Sequence, residues 1–174
     1  MTINEIDSRV RRIPDFPIKG VLFRDVTTLI KDPEGFKATI DEMVKSLEGI
    51  HVDLVCGPEA RGFAVGSALA YALGAGFVLA RKPGKLPCAV YKEEYALEYG
   101  TDSIEIHEDA IKPGQTVVIA DDLLATGGTA KAVCNLIEKA GGKVVGLRFI
   151  IELCSEFDGR KPLEGYDVDA VLKY

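Results

Sequence analysis

The stretch Val117-Val-Ile-Ala-Asp-Asp-Leu-Leu-Ala-Thr-Gly-Gly-Thr129 gathers the residues best suited to chemistry: an apolar run, two adjacent carboxylates and a small, glycine-containing turn that starts a helix. Ala125, Thr126, Gly127, Gly128 and Thr129 can wrap a phosphate. The two glycines let the backbone approach without a Cβ clash, N–H groups at a helix start point at an anion, and Thr126 and Thr129 add hydroxyl donors. The turn lacks the lysine of a GxxxxGK[ST] loop and the spacing of GxGxxG, which excludes both nucleotide-binding readings. Asp121 and Asp122 would repel a polyphosphate chain, so they suit sugar hydroxyls, directly or beside a magnesium ion. The ligand this implies is a sugar 5′-phosphate. Taken alone, the glycines fit equally well a solvated acidic turn with Thr126 or Thr129 capping the helix. Adjacent carboxylates at a strand end before a Gly-Gly turn have no such structural use, and the whole pattern favours the ligand.

The elements that would position this segment follow from periodicity. Ile3, Ile6, Val10 and Ile13 recur at helical spacing and predict an N-terminal helix ending at Pro14, followed by a loop from Asp15 to Gly20. Asp32-Pro33 opens a second helix with the stripe Phe36, Ile40, Val44 and Leu47, closed by Gly49. A strand over Val52–Cys56, a helix over Phe63–Leu73 and a strand over Phe77–Ala80 come next. Arg81 to Glu108 is a long polar section whose one regular signal is the alternation Ser103-Ile-Glu-Ile106, which resembles a hairpin arm. Val117–Ala120 reads as a strand covered on both faces, Thr129–Ala140 as a helix and Val144–Leu153 as a strand. Strands alternating with helices at this spacing specify an α/β fold with a mostly parallel sheet. In such sheets ligands bind beyond the carboxyl ends of the strands, where the Ala125–Thr129 turn must lie.

The length, 174 residues against the ~150 typical of one domain, predicts a single domain spanning 1–174. A net charge of −6 argues against duplex nucleic acid or an anionic membrane surface as partner. Phe63 to Ala80 is uncharged and long enough to span a bilayer, but its alanines, its glycines and the break at Gly74-Ala-Gly76 favour a buried helix, turn and strand. Met1 to Arg12 is charged and reads as no signal peptide. Cys56, Cys88, Cys134 and Cys154 form no CxxC pair and read as reduced thiols, so the expected location is cytoplasmic. Cys56 reads as packing rather than as a nucleophile, and His51 and His107 are isolated.

Val117–Thr129 resembles the phosphoribosyl-pyrophosphate signature of the type I phosphoribosyltransferases. Further segments match in order: Asp15-Phe-Pro through Gly20-Val-Leu-Phe-Arg-Asp25, Pro58-Glu-Ala-Arg-Gly-Phe63, Arg81-Lys-Pro-Gly-Lys-Leu-Pro87 and Glu94-Tyr-Ala-Leu-Glu-Tyr-Gly100. Phe23-Arg24-Asp25 and Leu97-Glu98-Tyr99 narrow the resemblance to the members of that family that act on adenine.

The resemblance implies a parallel sheet flanked by helices, a short N-terminal base-binding arm and a mobile hood over about 82–108. It implies the reaction adenine + 5-phospho-α-D-ribose 1-diphosphate (PRPP) = AMP + diphosphate, a step of purine salvage, with Mg²⁺ held mainly by substrate near Asp121 and Asp122. Arg61 would hold pyrophosphate, with the Glu59-Ala60-Arg61 backbone often cis. Arg81, Lys82 and Lys85 would form a second basic cluster reaching the neighbouring subunit's site, hence a homodimer. Leu22 and Arg24 would bind adenine through backbone groups and Phe23 would stack on it. Glu98 would be the acid or base at the imidazole ring, with Tyr99 beside it in the hood. Two other readings stand beside this one: the same chemistry on xanthine or hypoxanthine, and a non-catalytic PRPP-sensing regulator that binds nucleic acid.

Overall fold

Continuous apolar runs can be satisfied only where both faces of a strand are covered, and the chain does this with one parallel sheet. The structure, a computed structural model, describes residues 1–96 and 100–174. In chain order it begins with helix α1 (Ile3–Asp7), the paired strands β1 (Arg11–Pro14) and β2 (Leu22–Asp25), and helices α2 (Thr27–Ile30) and α3 (Pro33–Lys45). Then come β3 (Leu54–Pro58), α4 (Arg61–Leu73), β4 (Gly76–Ala80), β5 (Val90–Ala96) and β6 (Thr101–His107). The last elements are β7 (Thr116–Leu124), α5 (Gly128–Lys139), β8 (Lys143–Glu152) and β9 (Val168–Lys173). The central sheet has the order β4-β3-β7-β8-β9 and all its pairings are parallel. β1 with β2, and β5 with β6, form separate antiparallel pairs.

Alternation along β7 divides the core. Val117 and Ile119 pack with α5 and the β5–β6 hairpin, whereas Val118 and Ala120 pack with α3 and α4. The helix boundaries have local causes. The Asp32 carboxylate accepts hydrogen bonds from the N–H groups of Glu34 and Gly35, with Pro33 in the first turn of α3. α4 ends at Gly74, whose φ of +67° lets the chain turn back into β4.

Two expectations are corrected. The N-terminal helix stops at Asp7, and Arg11–Pro14 is a strand. The reason is that Thr28 draws this backbone outward, its hydroxyl accepting from the Arg11 N–H at 3.1 Å and donating to the Arg9 carbonyl at 2.6 Å. In the long polar section the alternation Ser103–Ile106 is a hairpin arm as expected: it lies on β6, which pairs with β5 in register from Val90 opposite His107 to Ala96 opposite Thr101. Ile104 and Ile106 drive it, being buried against α5 and the sheet. A reciprocal backbone pair between Arg81 and Glu105 fixes β6 to the end of β4. Finally, β7 continues through Asp121 and Asp122 to Leu124, so the carboxylates lie within the strand and not after it. Among the described residues, no helix is long and apolar enough to cross a membrane.

The loop after β8 is held by an ion pair. Glu152 is buried at the end of β8, and both its carboxylate oxygens accept from Arg160, at 2.6 and 2.8 Å. Arg160 also donates to the Val168 carbonyl of β9. These bonds hold the Glu152 carboxyl below its ordinary value of 4.5. The pair's stabilisation is therefore present above about pH 4.5 and is lost as the pH falls through the folded value. Arg160→Leu, which strands a buried acceptor, should destabilise the protein by about 1–2 kcal/mol at pH 7. Urea unfolding should show that deficit shrinking below pH 4.5; a constant deficit would mean that packing, not charge, is the source.

Candidate active site

The carboxyl ends of β3 and β7 open onto a cavity of about 320 Å³ lined by Glu59, Ala60, Arg61, Lys82, Tyr95, Asp121, Asp122 and Thr129 among others. It adjoins a smaller one of about 110 Å³ formed by Ala125, Thr126, Gly127 and Thr129 with Asp121, Leu123, Leu124, Ala130 and Phe149. This is where a parallel sheet places its ligands. The first α5 turn is therefore presented to the floor of the site with its N–H groups free of side-chain caps: the N-cap is Gly127, and neither Thr126 nor Thr129 fills that role.

The turn is shaped by backbone packing. Gly127 has φ +80°, and a Cβ there would fall 2.2 Å from the Gly159 carbonyl oxygen. A Cβ on Gly159 would in turn fall 2.2 Å from the Ala125 carbonyl oxygen. The loop after β8 thus presses directly on the Ala125–Thr129 turn. Gly159 escaped the sequence reading because an isolated Asp-Gly-Arg carries no signal beyond that of a loop.

The charged groups are distributed unevenly. Arg61, the first residue of α4, donates from Nε to Asp122 Oδ2 at 2.5 Å, tying the end of β3 to β7. The peptide before it, Glu59–Ala60, is cis. Asp122 is buried, and Asp121 Oδ1 accepts the Asp122 N–H at 2.8 Å. Burial, then the neighbouring Asp122 charge, pushes the Asp121 carboxyl well above the usual carboxylate range.

The basic cluster Arg81, Lys82 and Lys85 is split. Lys82 lines the cavity and donates to Asp102 and, at 3.1 Å, to the Tyr95 hydroxyl, so a cation of the site is anchored on the hairpin. Arg81 instead pairs with Glu59 at 2.7 Å and with the Lys85 carbonyl, and Lys85 is exposed. Asp102 and Glu59, which hold these cations, were not singled out by sequence, since only the folded pairing brings them near.

Leu22, Phe23 and Arg24 lie together on β2, outside the lining of either cavity. Phe23 meets Phe16 edge to face at 5.2 Å. Hydrogen bonds from Thr27, and more weakly the charges of Arg11 and Arg61, keep the Asp25 carboxyl at the end of β2 below its usual range. Glu98 and Tyr99 fall outside the described residues.

No thiol competes for a catalytic role here. Cys56 and Cys134 are buried, and burial raises both to about 12. His51 faces Asp53 on the surface, and His107 contacts the Pro87 carbonyl.

Residues 27–171 match the phosphoribosyl transferase domain family. An adenine phosphoribosyltransferase of Alkaliphilus metalliredigens is 56% identical over 97% of this chain and 99% of its own. The chain belongs to the adenine phosphoribosyltransferase family. The crystal structure of the family member from Thermoanaerobacter pseudethanolicus superposes with a TM-score of 0.95 at 53% identity, covering 99% of this chain and all of that one. The family member from Saccharomyces cerevisiae, solved in complex with an imino-altritol bisphosphate and adenine, gives 0.92 at 38% identity over 97% of each chain. The type I phosphoribosyltransferase fold expected from the resemblance is thereby established.

Gly159→Ala tests the packing of the turn. Its methyl group must displace the Ala125 backbone, so capture of a phosphate ester should weaken about tenfold or more while far-ultraviolet dichroism is unchanged. Parental affinity would show that the turn moves aside freely.

Proposed function

We propose that the protein transfers the phosphoribosyl group of PRPP to adenine, giving AMP and diphosphate. The observation that carries this reading is the convergence of Arg61, Lys82, Asp121, Asp122 and the Ala125–Thr129 turn on adjoining cavities at the carboxyl end of the sheet. A family relative solved with adenine supports the choice of base.

The reaction breaks the bond from C1′ to the diphosphate oxygen and forms one from C1′ to adenine N9. Positive charge builds on the ribose and negative charge on the leaving group, so electrostatics matter more than a protein nucleophile. The Ala125–Thr129 turn anchors the 5′-phosphate through helix N–H groups and hydroxyls. Asp121 and Asp122 accept from the ribose hydroxyls, close to the developing cation. Arg61 offers a planar, bidentate donor to the diphosphate, which requires it to exchange Asp122 for the substrate. Lys82 adds charge from the hairpin side, with Arg81 and Lys85 placed to serve a neighbouring subunit's site. Backbone groups of Leu22 and Arg24 read the base, since adenine needs an acceptor for its amino group and a donor for N1. Phe23 stacks on it, and Glu98, with Tyr99 beside it, takes the ring proton.

Magnesium fits the donor set as a substrate-borne ion. Among the described residues no group of three or more His, Cys, Asp or Glu side chains could hold a metal, but Asp121 and Asp122 supply two hard oxygen ligands beside the cavity. When bound, the ion would neutralise charge on the departing diphosphate.

A cytoplasmic homodimer of single-domain subunits is part of the same reading. The cysteines are free thiols, the net charge of −6 disfavours nucleic acid, and Leu79 of edge strand β4 and Tyr71 of α4 are exposed apolar side chains.

Diphosphate release across a panel of free purines and pyrimidines with Mg²⁺ tests the proposal: adenine should support turnover and 6-oxopurines should not. Asp122→Asn should lower kcat by about 100-fold with the fold retained. Turnover at the parental rate would remove Asp122 from the ribose site.

A further inference from the structure

The base-reading strand is held by a side chain at the other end of the chain. Tyr174 follows β9, and its backbone is fixed twice: its N–H donates to the Glu152 carbonyl, and its own carbonyl accepts from the Ser155 N–H, both at 2.9 Å. Its hydroxyl donates to Asp7 of α1. Over its ring lies the guanidinium of Arg24, Cζ 4.1 Å from the centroid, and that of Arg12 stands 5.9 Å away.

Arg12 and Arg24 are direct partners in the β1–β2 register. Like charges opposite one another push strands apart unless something takes up the charge. Here Asp7 receives Arg12, Glu156 receives Arg24, and the π face of Tyr174 attracts both. Arg24 Nε is buried with no hydrogen-bond partner among the described residues, so the aromatic face and Glu156 bear its charge.

We propose that Tyr174 is a positioning residue for purine recognition: by gripping the Arg24 guanidinium from a fixed point on the sheet, it sets where the Leu22–Arg24 backbone presents its donors and acceptors to the base. The inference rests on the adenine-transfer reading above. The strand is short and its partner is another short strand, so the cation–π contact acts with the Thr28 hydrogen bond to Arg11 and the Arg24–Glu156 ion pair to reference it to the core. A shift of about an ångström in a recognition backbone is enough to weaken binding severalfold.

The test separates the base from the sugar substrate. Tyr174→Leu should raise the KM for adenine about fivefold while that for PRPP stays within twofold. Tyr174→Phe keeps the ring under Arg24, loses only the bond to Asp7, and should lie nearer the parent than the leucine variant. Thermal unfolding reports fold loss separately; if the leucine variant does not fold, the phenylalanine variant decides, since a pure anchor role would lower its Tm with no change in the ratio of the two KM values. Equal effects of Leu and Phe, or matched rises in both KM values, would overturn the proposal. No turnover of adenine by the parent would instead overturn the reading on which it rests.

Discussion

Strands paired in parallel cannot be joined by tight turns, so each connection crosses a face of the sheet and buries it. In this protein the consequence governs everything else. Side chains in the middle of β3 and β7 are apolar, the buried Arg148 of β8 is taken up by Ser46 and Asp167, and the charged groups of the candidate site lie toward the carboxyl ends. That is where Arg61, Asp121, Asp122 and the Ala125–Thr129 turn appear. Burial at this end of the sheet, and after it the neighbouring Asp122 charge, is what raises the Asp121 carboxyl.

The segment from β7 to α5 was readable in the sequence because local signals agreed. A both-faces-buried strand, small turn residues and an apolar helical stripe each pointed to the same geometry. The β5–β6 hairpin was less legible. Val90-Tyr-Lys-Glu-Glu-Tyr-Ala96 has weak alternation, and its strand state depends on pairing with Ile104 and Ile106, whose burial is a tertiary fact. Strand β9 likewise reads poorly, since Asp169 interrupts a short apolar run at the sheet edge. The N-terminal stripe misled because Ile13 satisfies its apolar character opposite Phe23 instead of on a helix face.

The candidate site divides along the same line. Residues contiguous in sequence were found together, whereas the partners that hold them were not. Lys82 meets Asp102 across the hairpin, Arg81 meets Glu59 across β3 and β4, and Gly159 meets Ala125 across the end of the sheet. Spacing rules address faces of one element and cannot report contacts between loops of different elements. In an acidic chain these pairings decide which cations face the cavity.

The Gly127–Gly159 contact has a bearing on how the chain tolerates change. Two carbonyl groups and two hydrogens at Cα occupy the space where side chains would normally separate loops. The loop from Leu153 to Arg160 is consequently a mould for the turn beside it and not merely a tether between β8 and β9. Its one bare Cα lets the loop close on the Ala125–Gly127 backbone, some thirty positions earlier. Variation in that loop is therefore constrained by the backbone geometry of the turn it packs on.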